Sequence, residues 1–249
     1  MSEYSREAPR RRQGADAGAK AVRAAMRAGP IALGRGDALI APGGASGVAF
    51  RIQSGWVALV RSAPAREGTH TIVGLALPGD LVGADLLAAS GADAAVCLGP
   101  VSAVAAASEA VLRELAALDP AVALWLSRQE AARRRWAEFR TATAEKGGPG
   151  QERHRLAALL AWILDSLEAD KGEPVDAFLL PLSLEQVAGL VAASPERFGD
   201  ALEWLLDTRL LRCAHPTEEG VVFGVADRSG LHAIGSWCLA GEGRERQSH

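Results

Sequence analysis

Ser183 and Ser194 stand eleven residues apart, each directly ahead of an amphipathic run. A serine in that position caps a helix, and the start of a helix offers free backbone N–H groups and a positive dipole end that can seat a phosphate. Behind the second serine come Pro195, Glu196 and Arg197, with Asp200 one turn later. The chemistry of this set is hydrogen bonding and charge rather than bond making. Glu196 can accept from a cytosine N4 amine, and Arg197 can donate to a phosphate or a guanine. Asp200 presents an anion beside them. No clustered His, Asp, Ser or Cys constellation elsewhere resembles a catalytic site, so the chain is not expected to be an enzyme.

The elements that must position these residues are legible nearby. Gln186 three residues after Ser183 completes a capping box, and Leu184, Val187, Leu190 and Val191 give the following helix one apolar face. Pro195 at the first helical position costs no hydrogen bond. Phe198, Ala201, Leu202, Leu205 and Leu206 then carry the apolar face of a second helix. Two short helices joined through Val191–Ser194 have the layout of a helix-turn-helix, whose second helix lies in the DNA major groove. Two helices of an ordinary α-helical core would give the same pattern. The residues that follow favour the first reading. Arg212-Cys213-Ala214-His215, a polar turn from Pro216 to Gly220 and Val221–Val225 read as a hairpin in the position of a wing.

With Phe178–Ser183 ahead of it, this segment resembles the C-terminal winged helix of the cyclic-AMP receptor/FNR (Crp/Fnr) family of bacterial transcription regulators. Three runs in the N-terminal half resemble that family's β-roll in order and spacing: Gly36–Ile40, Ile52–Val60 and Leu77–Gly83. The similarity covers about residues 30 to 235. The FNR-like branch is suggested by LPGDLVG followed by Ala84-Asp85. The resemblance implies an α+β chain: a flexible leader at 1–29, a cyclic-nucleotide-binding-like β-roll at 30–118, a long dimerisation helix at 119–146 and a winged helix-turn-helix at 151–240. It also implies a homodimer on a pseudo-palindromic operator, with RNA polymerase as a further candidate partner.

Composition bounds this picture. A chain of 249 residues, 49% hydrophobic and 23% charged, suits two soluble domains. The apolar stretch from Ala94 to Ser108 is broken by Gly99 and Pro100 and is too short to cross a bilayer. Met1–Lys20, with arginines at 10, 11 and 12, reads as a solvated leader. Cys97, Cys213 and Cys238 lie far apart, with no CxxC pair and no zinc-like spacing. The oxygen-sensing members cluster their cysteines near the N-terminus, and a cubane iron–sulfur centre takes four thiolates. That type of sensor is excluded, no cofactor or metal is expected, and a reducing cytoplasm is the expected compartment.

From Pro30 to about Ser108, short apolar runs alternate with glycine and proline, as in a small antiparallel roll. Val57–Val60 and Thr71–Leu75 flank a polar loop as a hairpin does. Nucleotide-binding relatives carry an arginine in a phosphate cassette, because a buried phosphate needs a paired cation. Here the corresponding run is Ala92–Val96 with Asp93, and no Arg or Lys lies between Arg66 and Arg113. Cyclic nucleotide binding in that manner is not expected, and the effector stays open. His70, His154 and His215 have no ligand spacing and read as surface histidines rather than haem ligands.

Asp119 and Pro120 open a long helix. Leu118, Val122, Trp125, Gln129, Ala132, Trp136, Phe139 and Thr143 recur in steps of four and three, the seam of two helices packed along their length. In the light of the resemblance, Val122, Trp125, Gln129, Ala132, Trp136 and Phe139 are the expected dimer interface; a helix buried on its own roll is the other reading. Gly147–Gly150 must end the helix as a hinge. A further amphipathic helix follows from Gln151 to Asp170.

Charge runs against the DNA reading. Residues 151–249 hold nine Lys and Arg against sixteen Asp and Glu, a net of −7, whereas 1–150 carry +4. Lysine and arginine contacts to phosphates supply most sequence-independent affinity for DNA. Asp200 also stands where the resemblance places a guanine-reading arginine. Two functions therefore remain open: a homodimeric DNA-binding regulator that senses an unknown signal through its roll, or a degenerate member of the same fold that has lost DNA and acts through protein contacts.

Overall fold

The computed structural model describes residues 30–42, 48–62, 70–83, 91–99, 101–124, 126–127 and 150–240. Eight strands come first: β1 (Ile31–Gly34), β2 (Ala38–Ile40), β3 (Val48–Ile52), β4 (Val57–Ser62), β5 (His70–Ala76), β6 (Leu81–Val82), β7 (Ala94–Cys97) and β8 (Val101–Ser108). They form two antiparallel sheets, ordered β1-β8-β3-β6 and β2-β7-β4-β5. The sheets close over a shared interior of Ile40, Ile52, Val57, Leu59, Val73 and Val82. This is the expected β-roll, and β4 and β5 pair as the expected hairpin from Val57↔Ala76 to Ser62↔His70.

The LPGDLVG run makes a tight corner between β5 and β6. The Asp80 carboxylate accepts the Leu77 N–H at 2.9 Å, and the Gly79 N–H reaches the Ile52 carbonyl at 3.0 Å. Gly79 has φ +94°, a left-handed conformation that glycine takes without cost.

Strand β4 is apolar on both faces because both are covered. Val57 and Leu59 point into the roll, while Ala58 and Val60 join Ala94 in a second cluster. Ile72 and Leu98, which pack on that second cluster, also touch the core of the C-terminal half.

Helix α1 (Glu109–Leu118) leaves the roll, and residues 120–124 and 126–127 are again helical. Asp119 caps this second helix as expected, its Oδ1 accepting the Ala121 N–H at 2.8 Å. The expected dimer seam is corrected at its first member. Val122 is 0% exposed and sits with Ala49, Leu81 and Leu112 of its own roll and α1. It therefore belongs to the monomer's core, because a side chain already stripped of water has no surface left for a partner. Leu118 and Leu124 are the residues left open, 82% and 44% exposed. The side chains of Trp125, Gln129, Ala132, Trp136 and Phe139 lie outside the described residues, as do the leader at 1–29 and hinge residues 147–149.

The C-terminal half comprises α2 (Gln151–Lys171), β9 (Ala177–Leu180), α3 (Leu184–Leu190), α4 (Pro195–Asp207), β10 (Leu211–Pro216), β11 (Val221–Val225) and α5 (Arg228–Ala240). Leu156, Leu159, Leu160, Ile163 and Leu164 bury one face of α2 completely. Each such side chain contributes roughly 1.5–3 kcal/mol of apolar burial. The three-stranded sheet runs β10-β11-β9. Helix α5, which the sequence pattern did not single out, packs across α2. At their crossing a Cβ on Gly235 would stand 2.8 Å from the Ala158 Cα, so only glycine lets the helices approach this closely.

One apolar cluster joins the two halves. Leu75 and Leu77 of the roll lie in the same core as Phe178, Val187 and Leu190. Trp56 stacks on Phe178 with ring centroids 6.4 Å apart.

Candidate nucleic-acid interface

Helices α3 and α4 form the expected helix-turn-helix, and their starts are capped as the sequence implied. The Ser183 hydroxyl accepts from the Gln186 N–H at 3.2 Å, and the Gln186 side chain accepts from the Ser183 N–H at 2.9 Å. Ser194 accepts from the Arg197 N–H at 3.4 Å, with Pro195 in the first turn. Both serines are exposed. A lone pair of each already serves its helix start, which leaves each O–H and the N–H groups of Leu184, Glu185 and Glu196 to meet an anion.

The turn between the helices is held from beneath by a residue that sequence reasoning did not assign to it. Arg155 of α2, 1% exposed, donates through Nη1 to the carbonyls of Val191 and Ala192 at 3.1 and 3.0 Å. Ala192 has φ +50°, a left-handed backbone that an alanine adopts at a cost. The Ala193 N–H returns to the Ala188 carbonyl at 2.9 Å, so α3 ends in a Schellman-type turn with alanine where glycine is usual. The sequence signal was an arginine inside an otherwise apolar helical face.

Helix α4 buries Phe198, Ala201 and Leu205 and exposes Glu196, Asp200, Glu203 and Asp207. Those four acids recur in steps of four, three and four and so share one face of the helix. Along that face they spread over roughly 16 Å at 1.5 Å per residue. Arg197 is the single basic residue of α4. Its guanidinium is turned back toward α2, with Nη1 3.1 Å from Oε1 of Glu152. A nearly buried carboxylate thus holds the side chain that was expected to reach a phosphate or a guanine.

Glu152 is 6% exposed. Burial pushes its carboxyl up, but hydrogen bonds from its own backbone and from Arg197, with the charges of Arg197 and Arg155, outweigh that and leave it below the usual glutamate value. Beside it, Arg153 lies over the Trp204 ring at 4.8 Å. These side chains, with Gly150, Asp200 and Ala201, line an open cleft of about 340 Å³ between the start of α2 and the recognition helix.

The wing is short and acidic at its tip. Its turn closes with the Thr217 N–H on the Gly220 carbonyl at 2.7 Å, and Glu218 and Glu219 stand exposed between them. Gly220 has φ +152°, and a Cβ there would meet the Leu180 carbonyl oxygen at 2.1 Å, so this position admits glycine alone. His215 lies exposed in β10, just ahead of the turn.

In the roll, the sheet brings Arg61 to the edge of the expected cassette, which sequence order concealed. Its Nε donates to the Gly91 carbonyl at 2.7 Å. Residues 84–90, just ahead of the run that corresponds to the cassette, lie outside the described residues. Cys97 is buried and Cys213 exposed. Among the described residues no group of three His, Cys, Asp or Glu is gathered for a metal, and no helix is long and apolar enough to cross a membrane.

No protein-family model matches the chain, and no curated protein does. Solved structures do. FixK2 from Bradyrhizobium japonicum superposes with a TM-score of 0.57 at 20% identity, over 82% of this chain and 96% of its own. A CRP/FNR-family transcriptional regulator from Thermus thermophilus gives 0.54 at 21% identity, over 83% and 98%. CooA from Carboxydothermus hydrogenoformans, a double mutant, gives 0.56 at 14% identity, over 83% and 87%. The match takes in 87–98% of each of these structures. The chain therefore has the α+β fold of the CRP/FNR family of transcription regulators.

Proposed function

We propose that the protein is a homodimeric DNA-binding transcription regulator of the Crp/Fnr family, its β-roll sensing a signal and its paired winged helices reading an operator. The observation that carries this reading is the Arg155-clamped helix-turn-helix: both helices are capped, and the turn between them is kept in a strained left-handed form by a buried arginine. An ordinary helical core has no need of that geometry. Ser183, Ser194, Glu196, Arg197 and Asp200 form the contact set, with the serines and helix starts on phosphates and Glu196 and Arg197 at base edges. The dimer forms along the helix beginning at Asp119; the exposed Leu124 on it, with Leu118 just ahead of it, supports an uncovered side there. RNA polymerase is a further partner in this reading.

The test is selection from random duplexes at two salt concentrations. A pseudo-palindrome with half-sites about one helical turn apart is expected to be enriched. The salt dependence should be shallow, because few cations face the backbone. Enrichment of nothing by the wild-type dimer would overturn the reading.

The acidic stripe on α4 and the acidic wing tip favour a second reading, in which the same surface meets a basic protein partner and DNA has been given up. In that case wild type enriches no sequence, while Asp200→Arg does.

A further inference from the structure

The Glu152 carboxylate does two things at once. Its Oε2 accepts the Gly150 N–H at 3.1 Å, and its Oε1 accepts from Arg197 Nη1 at 3.1 Å. Gly150 is the N-cap of α2, in a left-handed conformation at φ +90°, and no side chain of its own caps the helix. The carboxylate therefore replaces the missing cap, where the helix dipole also favours an anion. Its second oxygen reaches across to the first turn of the recognition helix and takes the only cation that helix possesses. One nearly buried acid thus joins the start of the DNA-binding half to the residue that would read DNA.

We infer that Glu152 is a positioning residue for DNA recognition: it couples the backbone at Gly150 to Arg197 and withholds that arginine from DNA while the link is made. The inference rests on the DNA-binding reading for its consequence, though not for the coupling itself. Removing either partner weakens the other's hold. Without Arg197, the buried carboxylate loses its main charge partner, and its grip on the Gly150 amide changes with it. Without the Glu152 charge, Arg197 swings to solvent, and α4 offers a phosphate or a guanine one cation. Movement of the chain at Gly150 would release Arg197 by the same route.

Two measurements on the full chain test this. The first needs no DNA: amide hydrogen exchange at Gly150 in wild type, Glu152→Ala, Arg197→Gln and, as a control at an exposed arginine elsewhere, Arg209→Gln. Exchange at Gly150 is expected to quicken several-fold in the first two variants and to stay unchanged in the control. Unchanged exchange in Arg197→Gln overturns the coupling. Arg197 is half exposed, so its loss leaves the core intact, and the thermal midpoint of each variant confirms folding.

The second measurement is affinity for a random-sequence duplex across a salt series. Glu152→Gln keeps the shape and drops the charge. It should tighten binding and steepen the slope of log affinity against log salt by about one unit, the mark of one more neutralised phosphate. Arg197→Gln in that background should abolish the gain. A slope unchanged by Glu152→Gln, in a protein that binds the duplex, overturns the withholding. If no form of the protein binds any duplex, the proposed function fails, and the exchange experiment alone decides whether Glu152 couples Gly150 to Arg197.

Discussion

Asp200 stands one turn beyond Glu196 on the exposed face of α4, and its charge repels the same phosphates that Ser194 and its helix start would hold. Asp200→Arg removes that anion and adds a bidentate donor. It is expected to raise affinity for all duplexes and to shift preference toward guanine, read by selection beside wild type. Glu196→Ala should relax preference at one base pair at a cost of about 1–3 kcal/mol. Beneath the turn, Ala192 at φ +50° holds at a cost a conformation that glycine adopts freely. Ala192→Gly should therefore stabilise the chain by about 1 kcal/mol in denaturant unfolding. Glu152 carries a pH signature. Its folded pKa lies below the ordinary 4.5, so the stabilisation it gives is present above that value and is lost as the pH falls through the lowered one. The thermal midpoint of wild type should drop on acidification below about pH 4.5, and that of Glu152→Gln should drop less.

At the level of the single element, the helix that opens at Asp119 has two tasks within its first two turns. Val122 closes the bottom of the roll, while Leu124 stands exposed, as does Leu118 at the end of α1. The heptad spacing that groups Leu118 with Val122 is the spacing of any amphipathic helix, so it does not tell an intersubunit seam from a face laid on the monomer. Substitution separates them. Val122→Glu buries a charge in the monomer and should cost several kcal/mol of folding stability. Leu118→Glu leaves the fold intact, and Trp136→Glu and Phe139→Glu test the seam further along. If the dimer uses this helix, these three variants should sediment as monomers with near-native circular dichroism. Dimers that survive all three would assign the interface elsewhere.

Across the molecule, the roll and the winged helix share one apolar core through Trp56, Leu75, Leu77 and Phe178. A displacement in the roll would thus reach β9 and α3 through direct apolar packing. Trp56→Ala removes the stack, leaves a void at this junction and should cost about 3–5 kcal/mol if the junction is a true core. An unfolding transition that splits into two steps would show that Trp56 joins two units able to melt apart. For the signal itself, cyclic AMP and cyclic GMP are expected not to bind at micromolar concentration in calorimetric titration. Arg61, the cation that the sheet brings to Gly91, already donates to that residue's carbonyl. A micromolar dissociation constant lost in Arg61→Ala would show instead that Arg61 leaves Gly91 for the phosphate.

Whatever local chemistry decides was legible in the chain before folding. Ser183, Gln186, Ser194 and Pro195 set the starts of α3 and α4 through bonds that span three residues, and Asp80 sets its corner with Leu77 in the same way. Those signals survive in one dimension because both partners lie within a few positions of each other. What depends on distant partners emerged only in three dimensions. Arg155 meets the turn 36 residues on, Arg197 meets Glu152 45 residues back, and Arg61 meets Gly91 across 30. The side to which Val122 turns belongs with them, since an apolar stripe states that it must be covered but not by what. The acidic charge of the C-terminal half was plain in the composition. That the one cation of α4 is held by a nearly buried carboxylate follows only from where the chain folds, because the free energy of that pair depends on the water excluded around it.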